Sequence, residues 1–148
     1  MKPDVDQILA ISAGQLMTGV IPLLPDSYSQ GSTALVSFLM LFCAQEYERG
    51  AEIRSADNAD LRAAFGSLAP IVDDPKLKRK LEDASLSTDP SLYISELNKN
   101  NAGLRALLIE LQSHLEARDD NAARAGEKRI WDILRTSAAR RLVKSPSG

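Results

Sequence analysis

The sequence predicts an all-α fold: a helical bundle of four long helices with two short helices in the middle, in a single domain over residues 1–148. Three observations predict it. Apolar residues recur at spacings of three and four along most of the chain, which aligns them on one helical face. Aspartate, asparagine and proline stand where helix starts and stops are needed. No segment shows the apolar–polar alternation with β-branched residues that a strand requires.

The first helix is predicted to start at Asp4, which with Gln7 has the spacing of a capping box. Val5, Ile8, Leu9, Leu16, Val20 and Ile21 follow at helical spacing. Pro22 and Pro25 end it, because proline has no amide to donate and restricts the residue before it. Asp26 and Ser27 offer the next cap. The second helix is predicted to run to about Arg54, with Leu35, Phe38, Leu39, Phe42, Glu46, Arg49 and Ile53 on one face and Val36, Met40 and Cys43 on another. Apolar nearly all round in its middle, it is expected at the centre of the fold.

Asp57-Asn58 is read as the cap of a short third helix through Leu61, Phe65 and Leu68, stopping before Pro70. Asp73-Asp74-Pro75 pairs a cap with proline at the first helical position, where its missing N–H costs nothing. The short basic helix that follows turns Leu77, Leu81 and Ala84 inward. Thr88-Asp89-Pro90 repeats the start signal. The fifth helix carries Tyr93, Leu97, Asn101, Leu104, Leu108, Leu111 and Leu115. Asp119-Asp120 caps a sixth through Ile130, Trp131, Ile133, Leu134 and Leu142, and residues 144–148 read as a frayed tail. Short connections make consecutive helices antiparallel neighbours.

Composition narrows the function classes. A chain of 148 residues buries roughly 70% of its unfolded surface on folding and needs no metal or disulfide to do so. Cys43 is the single cysteine, which excludes an internal disulfide and any zinc site built from several thiolates. The acidic start lacks the pattern of a signal peptide. The longest nearly continuous apolar run, Ala34 to Ala44, covers eleven residues interrupted only by Ser37, where a membrane helix needs about 20. These features predict a soluble, cytoplasmic protein with no membrane partner. The net charge of −2 hides an asymmetry: residues 1–74 hold four bases and ten acids, residues 75–148 fourteen and ten. Two solvated faces of opposite bias explain this more simply than head-to-tail packing between halves or subunits.

No catalytic residue is assigned. The chain lacks a Gly-rich phosphate loop, a Gly-x-Ser-x-Gly elbow and a dinucleotide fingerprint. No cofactor is implied. A di-iron bundle site needs two Glu-x-x-His motifs; the one histidine, His114, is preceded by Glu110 at the wrong spacing, so no metal is expected. His114 reads as a rim histidine beside the leucine stripe, and Cys43, between Phe42 and Ala44, as a buried, inert thiol. The basic residues of the last helix, Lys128, Arg129, Arg135, Arg140, Arg141 and Lys144, could follow phosphates. With a pI of 5.4 and few aromatics, no nucleic-acid partner is expected. Asn98, Asn100 and Asn101 interrupt the leucine stripe, as amides that set helix register or oligomer state do, or as a kink near Gly103 would. The candidate ligand-binding residues are Glu46, Arg49 and Arg54, a polar cluster at one end of the bundle, with Met40 and Phe42 beside them. A carboxylate at Glu46, on a face otherwise apolar, costs energy unless it is paired.

Asp6-x-Ile8-Leu9-Ala10, Val20-Ile21-Pro22, Gln45-Glu46-Tyr47-Glu48-Arg49-Gly50 and Asn101-Ala102-Gly103-Leu104-Arg105-Ala106-Leu107-Leu108-Ile109-Glu110-Leu111 together resemble a family of uncharacterised bacterial all-helical proteins. Genes of that family tend to lie beside aminoglycoside-phosphotransferase-like and acyl-CoA dehydrogenase genes. The resemblance covers about the first third of the chain and a stretch of the last. The family's usual close, an Arg-x-Gly helix followed by an Asn-Pro-Arg-Tyr-like end, is not present. The resemblance implies a genomic neighbourhood and no mechanism.

Three functions are weighed. The first is a non-enzymatic interaction or accessory protein that forms a homo-oligomer or docks on a partner enzyme, on the strength of its apolar helix faces. The second is a bundle that binds a small molecule or acyl group, with Met17, Met40, Phe38 and Phe42 lining an adaptable pocket. The third is an enzyme with Glu46, Arg49 and His114 around one polar pocket.

Overall fold

The structure, a computed structural model, describes residues 4–142. Residues 144–148, expected to fray, lie outside the described residues, as do the first three of the acidic start. Among the described residues the chain is all-α, with no strand. The helices are α1 (Val5–Gln15), α2 (Ser27–Leu68), α3 (Pro75–Leu86), α4 (Ile94–Glu116) and α5 (Asn121–Arg140).

The punctuation works where an aspartate precedes the first turn and finds free amides there. Asp26 accepts from the Ser29 N–H at 2.8 Å, Asp74 from Lys76 at 2.8 Å and Leu77 at 3.4 Å, and Asp120 from Ala123 at 2.9 Å. These backbone N–H groups favour the charged carboxylate and hold all three below the usual carboxylate range. Asp120 also pairs with Arg118, whose guanidinium donates to the Ile71 carbonyl. One arginine thus ties the start of α5 to the turn before α3.

Four expectations are corrected. Asp4 makes no side-chain capping bond. The first helix does not run evenly to Pro22: it widens into a π-helical turn over Leu16–Val20 and tightens into a 3₁₀ turn over Ile21–Leu23. Thr18 Oγ1 donates back to the Gly14 carbonyl at 2.9 Å, a bond that loosens the helical ladder locally. The short third helix does not exist, because α2 continues unbroken to Leu68. Asp57 and Asn58 lie inside it with partners on other helices, so they do not compete for the backbone amides of α2. Finally, α4 begins at Ile94 rather than after Thr88-Asp89-Pro90, since Asp89 is engaged by Arg62.

The described residues divide into two compact units, one reaching to Gly50 and the other spanning Ala51–Leu142. The second unit has a conventional core: Leu61, Phe65 and Leu68 of α2, Leu77 and Leu81 of α3, Leu104, Leu108, Leu111 and Leu115 of α4, and Ile130 and Ile133 of α5. The leucine stripe of α4 is buried as its spacing predicts, apart from Tyr93 just before the helix. Trp131 and Leu142 are exposed. Among the described residues of the first unit, only Ala13, Ser37, Ala44 and Gly50 are buried. No described helix is long and apolar enough to cross a membrane.

Close packing in the second unit depends on Gly126. A Cβ there would stand 2.9 Å from Leu115 Cδ1 and 3.2 Å from Ile71 Cδ1, and Leu115 is fully buried. At Gly103, in α4, a Cβ would meet nothing within 4 Å. Gly103→Ala should therefore stabilise by up to about 1 kcal/mol through helix propensity. Gly126→Ala should forfeit that gain and destabilise by about 1–2 kcal/mol through overpacking. Urea unfolding of the two variants checks the opposite signs.

Candidate interaction surface

In the first unit, α2 has two unlike sides. Successive residues turn about 100° around a helix. On one side stand the buried Ser37 and Ala44, with Thr33, Met40 and Leu41 half-buried near them. These are mostly small side chains, which permit close approach of a neighbouring backbone. Tyr28, Leu35, Phe38, Leu39 and Phe42 fall on the opposite side, with Val36 at its edge. The five from Leu35 to Phe42 are each 45–60% exposed. With side chains of this size, the six residues leave roughly 700 Å² uncovered, more than the ~300–600 Å² of the largest patch on a typical monomer. In α1, Val5, Ile8 and Ile11 are also exposed.

The face expected at the centre of the fold is thus open, and the packed face is the one with small residues. Cys43 is corrected with it: it is exposed rather than buried, because it borders the uncovered side. Of the candidate ligand-binding residues, Met40, Phe42, Glu46 and Arg49 belong to the first unit and Arg54 to the second. Met40 and Arg49 are half-buried, while Phe42 and Glu46 are exposed. Arg54 Nε donates to Asn98 Oδ1 at 2.7 Å. Phe38 lies on the open face and Met17 is half-buried.

The second unit holds a chain of buried polar contacts that joins α2, α4, α5 and the loop before α4. Arg62, 9% exposed, meets Asp89, 11% exposed, with both carboxylate oxygens engaged, at 2.8 and 3.2 Å. Asp89 also accepts from Asn58 at 2.9 Å and Asn100 at 2.6 Å. Asn58, fully buried, accepts from Asn101 at 2.8 Å. Asn101 in turn accepts from Arg105 at 2.8 Å, and Arg105 reaches the Ser137 hydroxyl. Ser137 donates to Asp57 at 2.9 Å. The Asp57 side chain, 1% exposed, pairs with Arg140 at 3.0 Å and with Arg141. Arg140 holds Asp60 as well, at 2.7 Å, and these carboxylates raise its pKa.

The sequence singles out Asn100 and Asn101 of this chain as register-setting amides, but Asp57, Asn58 and Asp89 read there as helix starts, and Arg62 and Ser137 are not singled out. The available signal was position. Asp57, Asn58 and Arg62 fall three and four residues from Leu61 and Phe65, on the side the core needs. A polar residue at such a position must bring a partner. His114 Nε2 lies 3.0 Å from Asp73 Oδ1, an ion-pair distance without hydrogen-bond alignment. Among the described residues no group of three or more His, Cys, Asp or Glu side chains is placed to hold a metal ion.

Comparison of the chain with protein-family models, with curated proteins and with solved structures gives no match. The chemistry must therefore be read from the geometry. In the polar chain of the second unit, each charge meets an opposite charge or an amide, which suits it to fixing helix register rather than to reacting. The open face of the first unit is the feature left without an internal role.

The polar chain makes a pH prediction. Asp89 is held below the usual carboxylate range, first by its hydrogen bonds from Arg62 and then by those from Asn58 and Asn100. A folded pKa below the unfolded one gives stability that is fully present above the unfolded value of ~3.9 and is lost as pH falls through the folded value. Asp89→Asn should cost on the order of 3 kcal/mol at pH 7 by leaving Arg62 buried without its anion. It should also flatten the acid limb of the stability curve below about pH 4. Urea unfolding at several pH values measures both effects.

Proposed function

We propose that this is a non-enzymatic helical interaction protein that associates with itself or docks on a partner enzyme through the open face of α2. One observation carries the reading: a unit without a single large buried side chain among its described residues presents aromatic and aliphatic residues on a stripe of interface size. Roughly 700 Å² is close to the ~800 Å² that each partner gives to a standard protein interface. Phe38 and Phe42 supply aromatic anchors at its centre, and Glu46 and Arg49 supply a charged rim at one end, the usual anatomy of such a surface. The open form of the stripe suits a flat protein partner better than an acyl chain, which takes an enclosed pocket. The exposed lone thiol of Cys43 supports a reducing compartment, and we place the protein in the cytoplasm on that ground.

Leu39→Glu/Phe42→Glu puts two carboxylates into the stripe without removing core atoms, so helix content by circular dichroism should stay unchanged. The wild-type chain should sediment as an oligomer, or in a stable complex from cell extract, and the variant should do neither. A wild-type monomer that retains the same proteins from extract as the variant would overturn the reading.

A further inference from the structure

The open stripe of α2 has an internal symmetry that makes it able to pair with a second copy of itself. Its members, in order, are Tyr28, Gly31, Leu35, Phe38, Leu39, Phe42, Glu46 and Arg49. Their spacings of three, four, three, one, three, four and three read the same in both directions. All are exposed except Arg49, which is half-buried. Building on the interaction reading above, we infer that the face is occupied by a second copy of the chain, with the two α2 helices antiparallel about a twofold axis between Phe38 and Leu39.

A twofold interface must be self-complementary, with each residue meeting a partner position that meets it in return. Antiparallel pairing about this axis places Phe38 opposite Leu39 of the second copy and Leu35 opposite its Phe42. Four apolar pairs form the centre. The next positions pair Gly31 with Glu46. At Gly31 nothing stands within 4 Å of where a Cβ would be, so there is room for the longer side chain to cross. At the rim, Tyr28 pairs with Arg49, where a guanidinium can lie on the ring face. Parallel pairing in register instead sets each residue against its own copy and gathers both Glu46 and both Arg49 side chains at one end of the interface, whereas antiparallel pairing parts them. The area agrees too, since two copies of this stripe bury about as much surface as a standard stable interface.

Cross-linking in the full-length chain distinguishes the alternatives. In a Cys43→Ser background, Leu35→Cys and Phe42→Cys are prepared separately and also mixed under mild oxidation. Residues 35 and 42 are seven apart, about 10 Å along the helix. Antiparallel pairing therefore brings unlike thiols together and keeps like thiols beyond disulfide reach. The expected result is a covalent Leu35→Cys/Phe42→Cys heterodimer in the mixture and little disulfide in either variant alone. Disulfide dimers within each separate variant would overturn the antiparallel arrangement. The unmodified protein is measured in parallel by sedimentation velocity, so that loss of association through the substitutions is seen directly. A wild-type monomer at high concentration would overturn self-pairing. That outcome leaves the interaction reading to stand or fall on whether Leu39→Glu/Phe42→Glu loses a protein that the wild type retains from extract.

Discussion

A helix that is apolar on two sides needs two neighbours. In the first unit, α2 carries small residues on the side around Ser37 and Ala44 and large ones on the side around Leu35 and Phe42. The small side is the one that is buried. Burial of small residues brings backbones close but removes little apolar area from water. The large residues, where most of the hydrophobic free energy lies, are left for something else. That constraint explains why the described residues of the unit form no conventional core, why Cys43 is exposed, and why large apolar side chains line the open stripe.

The second unit solves the same problem differently. Its apolar faces cover one another, with Phe65, Leu81, Leu97, Leu111, Leu115 and Ile130 almost fully buried. Specificity then has to come from features that apolar packing does not supply. Asp57, Asn58 and Arg62 enter the interior from one helix, and each is matched by a partner from another helix or from the loop before α4. A shift of one helical turn between α2 and α4 would break the Asn58–Asn101 bond and leave the buried Asn58 carbonyl without its donor, a penalty that leucines sliding past leucines do not impose. Gly126 adds a steric version of the same demand.

The sequence carried the fold class because helical spacing and capping are local signals. Asp74-Pro75 and Asp120 start helices as read, and the leucines of α4 are buried. Local signals also misled where they had two uses. Asp57-Asn58 and Asp89-Pro90 have the chemistry of helix starts, yet Asp57 and Asn58 serve partners 31 or more positions away, and Asp89 serves Arg62 and Asn58, 27 and 31 positions away, besides the nearer Asn100. No window of the sequence contains that information. The face of Leu35 and Phe42 was legible as apolar and helical, but periodicity alone cannot say whether a partner lies within the same chain. Of the candidate residues, Phe42 lies on the open stripe, Glu46 and Arg49 at its rim, Met40 on the packed side and Arg54 in the other unit, bonded to Asn98. The grouping followed sequence proximity, whereas the structure sorts those residues by helical face.

Carbene footprinting of the unmodified protein across a dilution series addresses the central claim most directly, because it reports side-chain exposure residue by residue. If the open face of α2 is covered by pairing, Phe38 and Phe42 should be protected in concentrated protein and should become labelled as the pair dissociates, while the exposed Trp131 stays constant. Equal labelling of Phe38 and Phe42 at every concentration would contradict the account.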